Sequence, residues 1–291
     1  MLQMVKHILL IITLVPLCSC NNHFQFKGFI MPTGDVVNTR FKECMEIYPD
    51  LKAGTVDAQE NYIFYVATDP HVKHTNENLN LFNNTLRNDD AASFGVVLGD
   101  CIDIKSNFPK YLEALAYHPE NHSSDLRIFH VAGNHDLYFD GWDEFKEMIG
   151  PSVYWFEVSF SGGKDLFITL DTASGTLGGK QTKWLRSFLS ENRKDYRHCI
   201  ILTHVNILYT DNSQVTSGNL PMDETYALID FFERQNVALV LQGHDHHRDD
   251  EIYGKVRYTT LGTIKDGTEA PEYLKVHVNQ EDIQLDWQLI N

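Results

Sequence analysis

The sequence VALVLQGHDHH, residues 237–247, joins an apolar run of strand length to three histidines. The run is apolar nearly throughout, which is typical of a strand that is covered on both faces. Four other runs have the same character, and each of them also ends in polar residues. They are NYIFYVA (61–67), FGVVLG (94–99), LRIFHVAG (126–133) and HCIILTH (198–204).

Polar segments with helical spacing lie between these runs. They are ENLNLFNNTLRN (77–88), FPKYLEALAYH (108–118), QTKWLRSFLSEN (181–192) and ETYALIDFFERQ (224–235). Strands that alternate with helices favour an α/β fold with largely parallel pairing in its core. Residues 153–172 predict a β-hairpin instead, because two strand-like runs flank a Gly-Gly turn. Residues 251–262 and 273–290 alternate polar and apolar side chains and predict further, half-exposed strands.

The composition limits the class of protein and its partners. A chain of 291 residues with 43% hydrophobic side chains can bury a sizeable core. It carries 24 Lys plus Arg against 40 Asp plus Glu, a formal net charge of −16. Such a charge repels a polyanion, so we expect no binding to duplex nucleic acid. Cysteines are few and lack CxxC spacing, which excludes a disulfide scaffold.

The first residues are predicted to be a targeting segment. Lys6 is followed by the short apolar stretch ILLIITLVPL (8–17) and then by CSC (18–20). This pattern predicts a signal peptide over residues 1–19. It resembles a bacterial lipoprotein processing box, in which Cys20 becomes the acylated first residue, and ordinary signal-peptide cleavage is the alternative.

The targeting segment predicts where the protein resides and where its fold begins. We expect an exported protein that is held to a membrane only by a lipid at Cys20 and faces the periplasm or the cell surface. Residues 20–60 are interpreted as a tether and an N-terminal lead-in that adds a leading strand. Residues 61–291 contain no repeat or linker and are interpreted as one domain.

Each of the five apolar runs ends in side chains that can bind a metal ion. The endings are Asp69-Pro70-His71, Gly99-Asp100-Cys101-Ile102-Asp103, Gly133-Asn134-His135-Asp136, Thr203-His204 and Gly243-His244-Asp245-His246. In open α/β sheets, functional residues gather just past the carboxyl ends of the strands. Carboxylates, an amide oxygen and neutral imidazoles form a ligand set suited to Mn, Fe, Zn or similar divalent ions.

The spacing within these endings predicts how the side chains are aimed. On an extended chain, residues two apart point the same way, so Asp69 and His71 are expected to face one cleft, as are His244 and His246. Glycine precedes three of the candidate ligands and lets the backbone turn sharply beside the site. Seven candidate ligands from five loops exceed what one ion takes from a protein, which indicates two metals with a shared carboxylate.

The motifs DxH, GDxxD, GNHD, a later histidine and GHxH, in this order, resemble the calcineurin-like metallophosphoesterases. The match extends from Asp69 to His246. The resemblance implies a four-layer α-β-β-α sandwich of two facing mixed β-sheets flanked by helices. It also implies hydrolysis of a small-molecule phosphoric mono- or diester by a hydroxide held between two divalent metal ions, whether Mn, Fe or Zn.

The resemblance further assigns a role to each motif residue. One metal is bound by Asp69, His71 and His246, the other by Asn134, His204 and His244, and Asp100 bridges the two. His135 matches the general acid of the family, and Asp103 matches a residue that orients it. A carboxylate bonded to one ring nitrogen of His135 would fix its tautomer and favour its charged form.

Departures from other branches of the family narrow this expectation. Asp103 stands where purple acid phosphatases have a tyrosine ligand, and Ile104 where Ser/Thr protein phosphatases have an arginine. An Fe(III)–tyrosinate centre and an arginine clamp on a phosphomonoester are therefore not supported. A non-catalytic metal- or phosphoester-binding lipoprotein on the same fold stays open as an alternative. Lys105 and Arg248 are either phosphate contacts or surface cations, and no protein partner is indicated.

Overall fold

The computed structural model describes residues 33–115, 126–208 and 220–290. Its helices are α1 (Thr33–Ile47), α2 (Glu77–Arg87), α3 (Phe108–Leu115), α4 (Asn134–Leu137), α5 (Trp142–Met148), α6 (Gly178–Asn192) and α7 (Met222–Arg234). Its strands are β1 (Lys52–Asp57), β2 (Tyr62–Ala67), β3 (Ala92–Val97), β4 (Ile128–His130), β5 (Tyr154–Phe160), β6 (Gly163–Thr169), β7 (Cys199–Leu202), β8 (Leu239–Gln242), β9 (Asp249–Tyr253), β10 (Val256–Thr260), β11 (Glu272–Val278) and β12 (Ile283–Leu289).

Within these residues the strands form two mixed sheets. The larger sheet has the order β1-β5-β6-β7-β8-β10-β9, and the smaller has the order β12-β11-β2-β3-β4. Pairing is parallel through β2, β3 and β4 and through β6, β7, β8 and β10. It is antiparallel in the β5–β6 hairpin and where β9, β11 and β12 complete the sheets. The predicted parallel core and the predicted hairpin are both confirmed.

Alternate residues of the central strands face two different cores. In β2, Phe64 and Val66 point into the layer between the two sheets, whereas Tyr65 and Ala67 face the side chains of α2 and α3. Strand β7 divides its residues in the same way between the inter-sheet core and the helices α6 and α7. Because both faces of these strands are covered, their sequences are apolar throughout. The predicted four-layer sandwich is therefore confirmed.

The residues before the apolar runs contribute a helix and a strand. Residues 33–60, interpreted as part of a tether and lead-in, form helix α1 and strand β1, and β1 pairs in parallel with β5. Phe41 and Cys44 of α1 are buried against Val153. A leading strand is therefore present, and α1 packs against residues that follow it.

A buried ion pair holds α1 to the rest of the domain. Arg40 donates from Nε and Nη2 to the carboxylate of Asp171 at 2.8 and 3.1 Å, and both side chains are almost fully buried. Asp171 lies just past the end of β6 and also accepts a hydrogen bond from Ser152. A buried ion pair of this kind cannot lose one partner without leaving a charge in the protein interior.

Residues 1–32 lie outside the described residues, and with them the predicted signal peptide and Cys20. Among the residues that are described, no helix combines the length and apolar character needed to cross a bilayer.

The ion pair gives a test of whether α1 is part of the folded unit. We expect Arg40→Ala to lower the free energy of unfolding by about 3 kcal/mol, because Asp171 would remain as an unpaired buried charge. Urea denaturation followed by circular dichroism measures the change. Glu46→Ala, at an exposed position of α1, is the matched control and should change the stability by less than about 0.5 kcal/mol. Equal stability of the two variants would show that α1 is not part of the folded unit.

Candidate metal centre

Five loops at the carboxyl ends of parallel strands carry the predicted ligands. They follow β2, β3, β4, β7 and β8, and they bring Asp69, His71, Asp100, Asn134, His204, His244 and His246 together at one edge of the sandwich. Six of the seven side chains are buried, and His246 is the exposed one. Residues from both sheets therefore meet in one cluster, as the order of the motifs predicts.

One group of donor atoms comes from Asp69, His71 and His246. His246 Nε2 lies 3.1 Å from Asp69 Oδ1 and 3.0 Å from His71 Nε2. Two neutral ring nitrogens cannot both present lone pairs to each other at this distance unless a proton or a cation lies between them. Imidazole nitrogens and a carboxylate are common ligands of divalent ions, so the donor set fits a metal ion.

A second group comes from Asp100, His204, His244 and Asn134. The donor atoms of Asp100, His204 and His244 lie within 4.8 Å of one another. His204 Nε2 is 3.0 Å from Asn134 Oδ1 and 3.3 Å from Asp100 Oδ1. The other carboxylate oxygen of Asp100, Oδ2, is 3.6 Å from His71 Nε2 in the first group. Asp100 thus lies between the two groups, where the sequence placed a bridging carboxylate.

The backbone of the ligand loops differs from the extended chain that the sequence predicted. Asp69, His71, Asp100, His244 and His246 all have positive φ, between 44° and 69°. Side chains other than glycine rarely adopt this left-handed conformation, and it is enriched at functional sites. The paired ligands still converge, but they do so through tight left-handed turns and not through the alternation of a strand.

All three glycines before the ligands allow a close approach of neighbouring loops. A Cβ at Gly133 would collide with the main-chain nitrogen of Asp100, and one at Gly243 would collide with the hydroxyl of Thr68. A Cβ at Gly99 would collide with the main chain of Gly133, and the φ of Gly99, +91°, also requires glycine. The glycines therefore pack the metal-bearing loops against one another.

Hydrogen bonds on the far side of two imidazoles prepare them as ligands. His204 Nδ1 donates to the carbonyl oxygen of Leu98 at 2.7 Å, and His71 Nδ1 donates to Asp103 Oδ1 at 3.0 Å. With Nδ1 engaged as a donor, the neutral ring presents the lone pair of Nε2 to the site. This is the arrangement that metal-binding histidines usually have in proteins.

The charges of the cluster also favour cations. Burial opposes the ionisation of Asp69 and Asp100, but His204 above all outweighs it and holds both pKa values below their usual range. Burial would lower the pKa of His204, yet Asp100 and Asp69 together raise it to about 10. The imidazole of His204 thus compensates part of the negative charge of the two buried carboxylates.

His135 lies beside the ligands and beside Asp103, the residue expected to orient it. The ring centroids of His135 and His71 are 4.7 Å apart, and His135 donates its main-chain N–H to Asp100 Oδ1 at 2.8 Å. Among the described residues, His135 Nδ1 is buried without a side-chain hydrogen-bond partner. The Asp103 carboxylate accepts a hydrogen bond from His71 Nδ1. Asp103 therefore contacts the metal ligand His71, and its role toward His135 stays a prediction.

Two further side chains support the ligands and were missed in the sequence. The hydroxyl of Thr68 donates to Asp69 Oδ2 at 2.6 Å. The hydroxyl of Tyr138 accepts a hydrogen bond from Asn134 Nδ2 at 2.8 Å, which leaves the amide oxygen of Asn134 facing His204. Neither residue belongs to a recognisable spacing pattern, so only the position of Thr68 directly before Asp69 gave a signal.

Comparison with solved structures identifies similar folds. GAP50, described as the anchor in the inner membrane complex of Plasmodium, matches with a TM-score of 0.64 over 80% of this chain and 86% of its own, at 14% identity. A dimetal phosphatase from Danio rerio matches with a TM-score of 0.56 over 79% of this chain and 98% of its own, at 14% identity. Purple acid phosphatase PPD1 from yellow lupin (Lupinus luteus) gives 0.61 over 79% and 52%, at 13% identity. These identities establish a common fold alone.

The sequence itself identifies the family. No curated protein sequence matches the chain. A sequence model of the calcineurin-like phosphoesterases, however, matches residues 63–248, which are more than half of the chain and include every candidate ligand. The chain belongs to the calcineurin-like phosphoesterase family.

Proposed function

We propose that the protein hydrolyses a small-molecule phosphoric ester with the help of two divalent metal ions. The observation that carries the proposal is the convergence of seven ligand side chains from five loops, with Asp100 between the two groups. Family membership supports phosphoesterase activity, and the similar folds include phosphatases. Mn, Fe and Zn all suit this ligand set.

Different side chains are assigned to metal binding and to proton transfer. Asp69, His71 and His246 would hold one ion, the remaining three ligands would hold the other, and Asp100 would contact both. When bound, such ions activate water and neutralise the charge that develops on a phosphoryl group. The carboxylates and imidazoles would hold these ions at the place where the ester binds.

His135 is the residue that we assign to proton transfer. Its ring is next to His71, and its own main-chain N–H is anchored on Asp100. The ring stands at the edge of the ligand cluster and does not belong to either metal-binding group, so one nitrogen can donate to a leaving alkoxide. The hydrogen bond to Asp100 fixes the position of His135 relative to the predicted ligands.

The leaving group offers a test of this role. We expect His135→Ala to lower kcat for an alkyl phosphate by about 10²- to 10³-fold, because an alkoxide needs a proton to depart. The loss for p-nitrophenyl phosphate should be much smaller, since p-nitrophenolate leaves unprotonated. Steady-state kinetics with metal-loaded protein measure both. The exposed His247→Ala is the control and should leave both rates unchanged. An equal loss on both substrates would contradict the proton-transfer role.

Metal stoichiometry tests the two-ion arrangement separately from turnover. Titration calorimetry of chelator-treated protein with Mn(II) or Zn(II) should give about two ions per chain. His204→Ala and His246→Ala should each lose one of the two binding events, since they remove a ligand from different groups. Asp100→Asn should weaken both. Binding of a single ion in the wild type would refute the arrangement.

A non-catalytic binding protein is the second candidate function. One similar fold is described as an anchor and not as an enzyme, so the fold alone does not decide between them. The complete ligand set and the adjacent His135 favour the enzyme. Two bound ions together with no turnover of any mono- or diester would favour the binding protein.

We also propose that the protein is exported and anchored by a lipid at Cys20. The support is the sequence of residues 1–20 alone. Expression with labelled palmitate should give a membrane-associated, labelled protein, and Cys20→Ala should remove both label and membrane association. Cys18→Ala is the matched control and should keep both. Label that persists in Cys20→Ala would indicate a different acylation site, and a wild type without label would favour ordinary processing.

A further inference from the structure

Two lysines lie beside the metal centre, and the sequence motifs single out neither of them. Lys73 comes two residues after the ligand His71, and its Nζ is 3.4 Å from Asp103 Oδ2. Lys265 lies on the loop that follows β10. Asp103 in turn bonds to the far side of His71 through its other oxygen. Asp103 therefore links the ammonium group of Lys73 to the imidazole of His71, a predicted metal ligand.

The loop that carries Lys73 is held in place by α3 and the turn before it. Lys110 donates from Nζ to the carbonyl oxygens of Lys73 at 3.1 Å and His74 at 2.9 Å. Asn107 donates to the carbonyl oxygen of Val72 at 2.9 Å. These bonds fix the main chain on both sides of Lys73 while its side chain stays largely exposed. The ammonium group is thus presented to solvent from a fixed loop.

The loop that carries Lys265 is fixed as well. Thr263 donates its hydroxyl to the carbonyl oxygen of Asp69 at 2.6 Å and accepts the main-chain N–H of Lys265 at 2.9 Å. Asn78 bonds to the carbonyl oxygen of Lys265 at 3.2 Å, and the Asp266 carboxylate accepts two main-chain N–H groups at the start of α2. Lys265 is therefore held in position by the loop of Asp69 on one side and by helix α2 on the other.

Lys265 offers a cation at this side of the site. It is half buried, and among the described residues its ammonium group has no hydrogen-bond or ion-pair partner. Burial opposes the ionisation of Asp103, but His71, Lys265 and Lys73 outweigh it and lower its pKa. Lys73 pairs with Asp103, and the Asp266 carboxylate accepts main-chain N–H groups of α2, so the Lys265 ammonium group is left to meet an anion.

The two cations that the sequence placed near the site are engaged elsewhere. Lys105 Nζ pairs with Glu144 at 3.0 Å. The guanidinium of Arg248 lies 4.1 Å from the ring centroid of Trp287, on the side of β12. Neither side chain is arranged to meet a substrate at the metal centre, so Lys73 and Lys265 are the better candidates.

We propose that Lys73 and Lys265 form a subsite for a second anionic group of the substrate, attached next to the scissile phosphate. The subsite rests on the proposed hydrolase function and specifies it. It selects phosphomonoesters whose alcohol part carries a carboxylate or another phosphate. Charge-assisted hydrogen bonds from the two ammonium groups would bind that group at the His71–Asp103 side, while the metal-binding residues receive the scissile phosphate.

A matched pair of esters tests the subsite. Phosphoglycolate and ethyl phosphate have the same length and differ by a carboxylate in place of a methyl group. The metal-loaded wild type should prefer phosphoglycolate by about tenfold or more in kcat/KM. Lys265→Gln and Lys73→Gln should each remove most of that preference, measured as the ratio of the two kcat/KM values. Lys194→Gln, at an exposed position, changes the net charge equally and should retain the preference.

Three kinetic results would overturn the subsite. The first is a wild type without preference between the two esters. The second is an equal loss on both esters in Lys265→Gln and Lys73→Gln, which would mean that the lysines contact the scissile phosphate. Retention of the full preference in both variants would overturn it too.

Binding of uncleavable analogues separates this inference from the hydrolase function. The phosphonate 3-phosphonopropionate and propylphosphonate, which has a methyl group in place of the carboxylate, are titrated into metal-loaded protein by calorimetry. Tighter binding of 3-phosphonopropionate that is lost in Lys265→Gln supports the subsite even where no ester is hydrolysed, and then the hydrolase function alone fails. Equal binding of both phosphonates overturns the subsite even where esters are hydrolysed.

Discussion

The structure of the site depends on two ionised carboxylates, Asp69 and Asp100, buried at the ends of neighbouring parallel strands. Asp69 is fully buried and Asp100 is 2% exposed. Buried charges of like sign are unfavourable unless groups of opposite charge or strong donors surround them. The loops supply these groups, because His244 donates its main-chain N–H to Asp69 and His135 donates its own to Asp100. The imidazoles and the left-handed turns place positive charge and N–H donors around these two carboxylates.

The scaffold explains why these charges persist. Strands β2 and β3 end side by side because they pair in parallel, and their apolar side chains are covered on both faces. A rigid edge of this kind can hold loop residues in the left-handed conformation, which a flexible loop would abandon. The positive φ angles of Asp69 and Asp100 are therefore maintained by the packing of the strands that precede them.

The sequence predicted the strand ends and the seven ligands because both depend on local patterns. An apolar run followed by a carboxylate or histidine is visible in one dimension, and parallel pairing brings such endings together. The partner of Asp103 was not predictable, since His71 and His135 are both within reach and only the path of the loop decides between them. Helix α1 was missed for a related reason. Its buried residues are few, and Arg40, which anchors it, looks like a surface residue until Asp171 is placed opposite.

The division between strand ends and outer loops also bears on function. Side chains directly past the strands form the ligand set, and the family pattern retains their order, whereas Lys73 and Lys265 come from positions without a motif. The same sandwich occurs in an anchor protein and in phosphatases, so the fold sets neither activity nor substrate. Chemistry then follows from the groups fixed at the sheet edge, and selectivity follows from charges on the surrounding loops. In a chain with a net charge of −16, the ammonium groups of Lys73 and Lys265 are the feature that would draw an anionic ester to this rim.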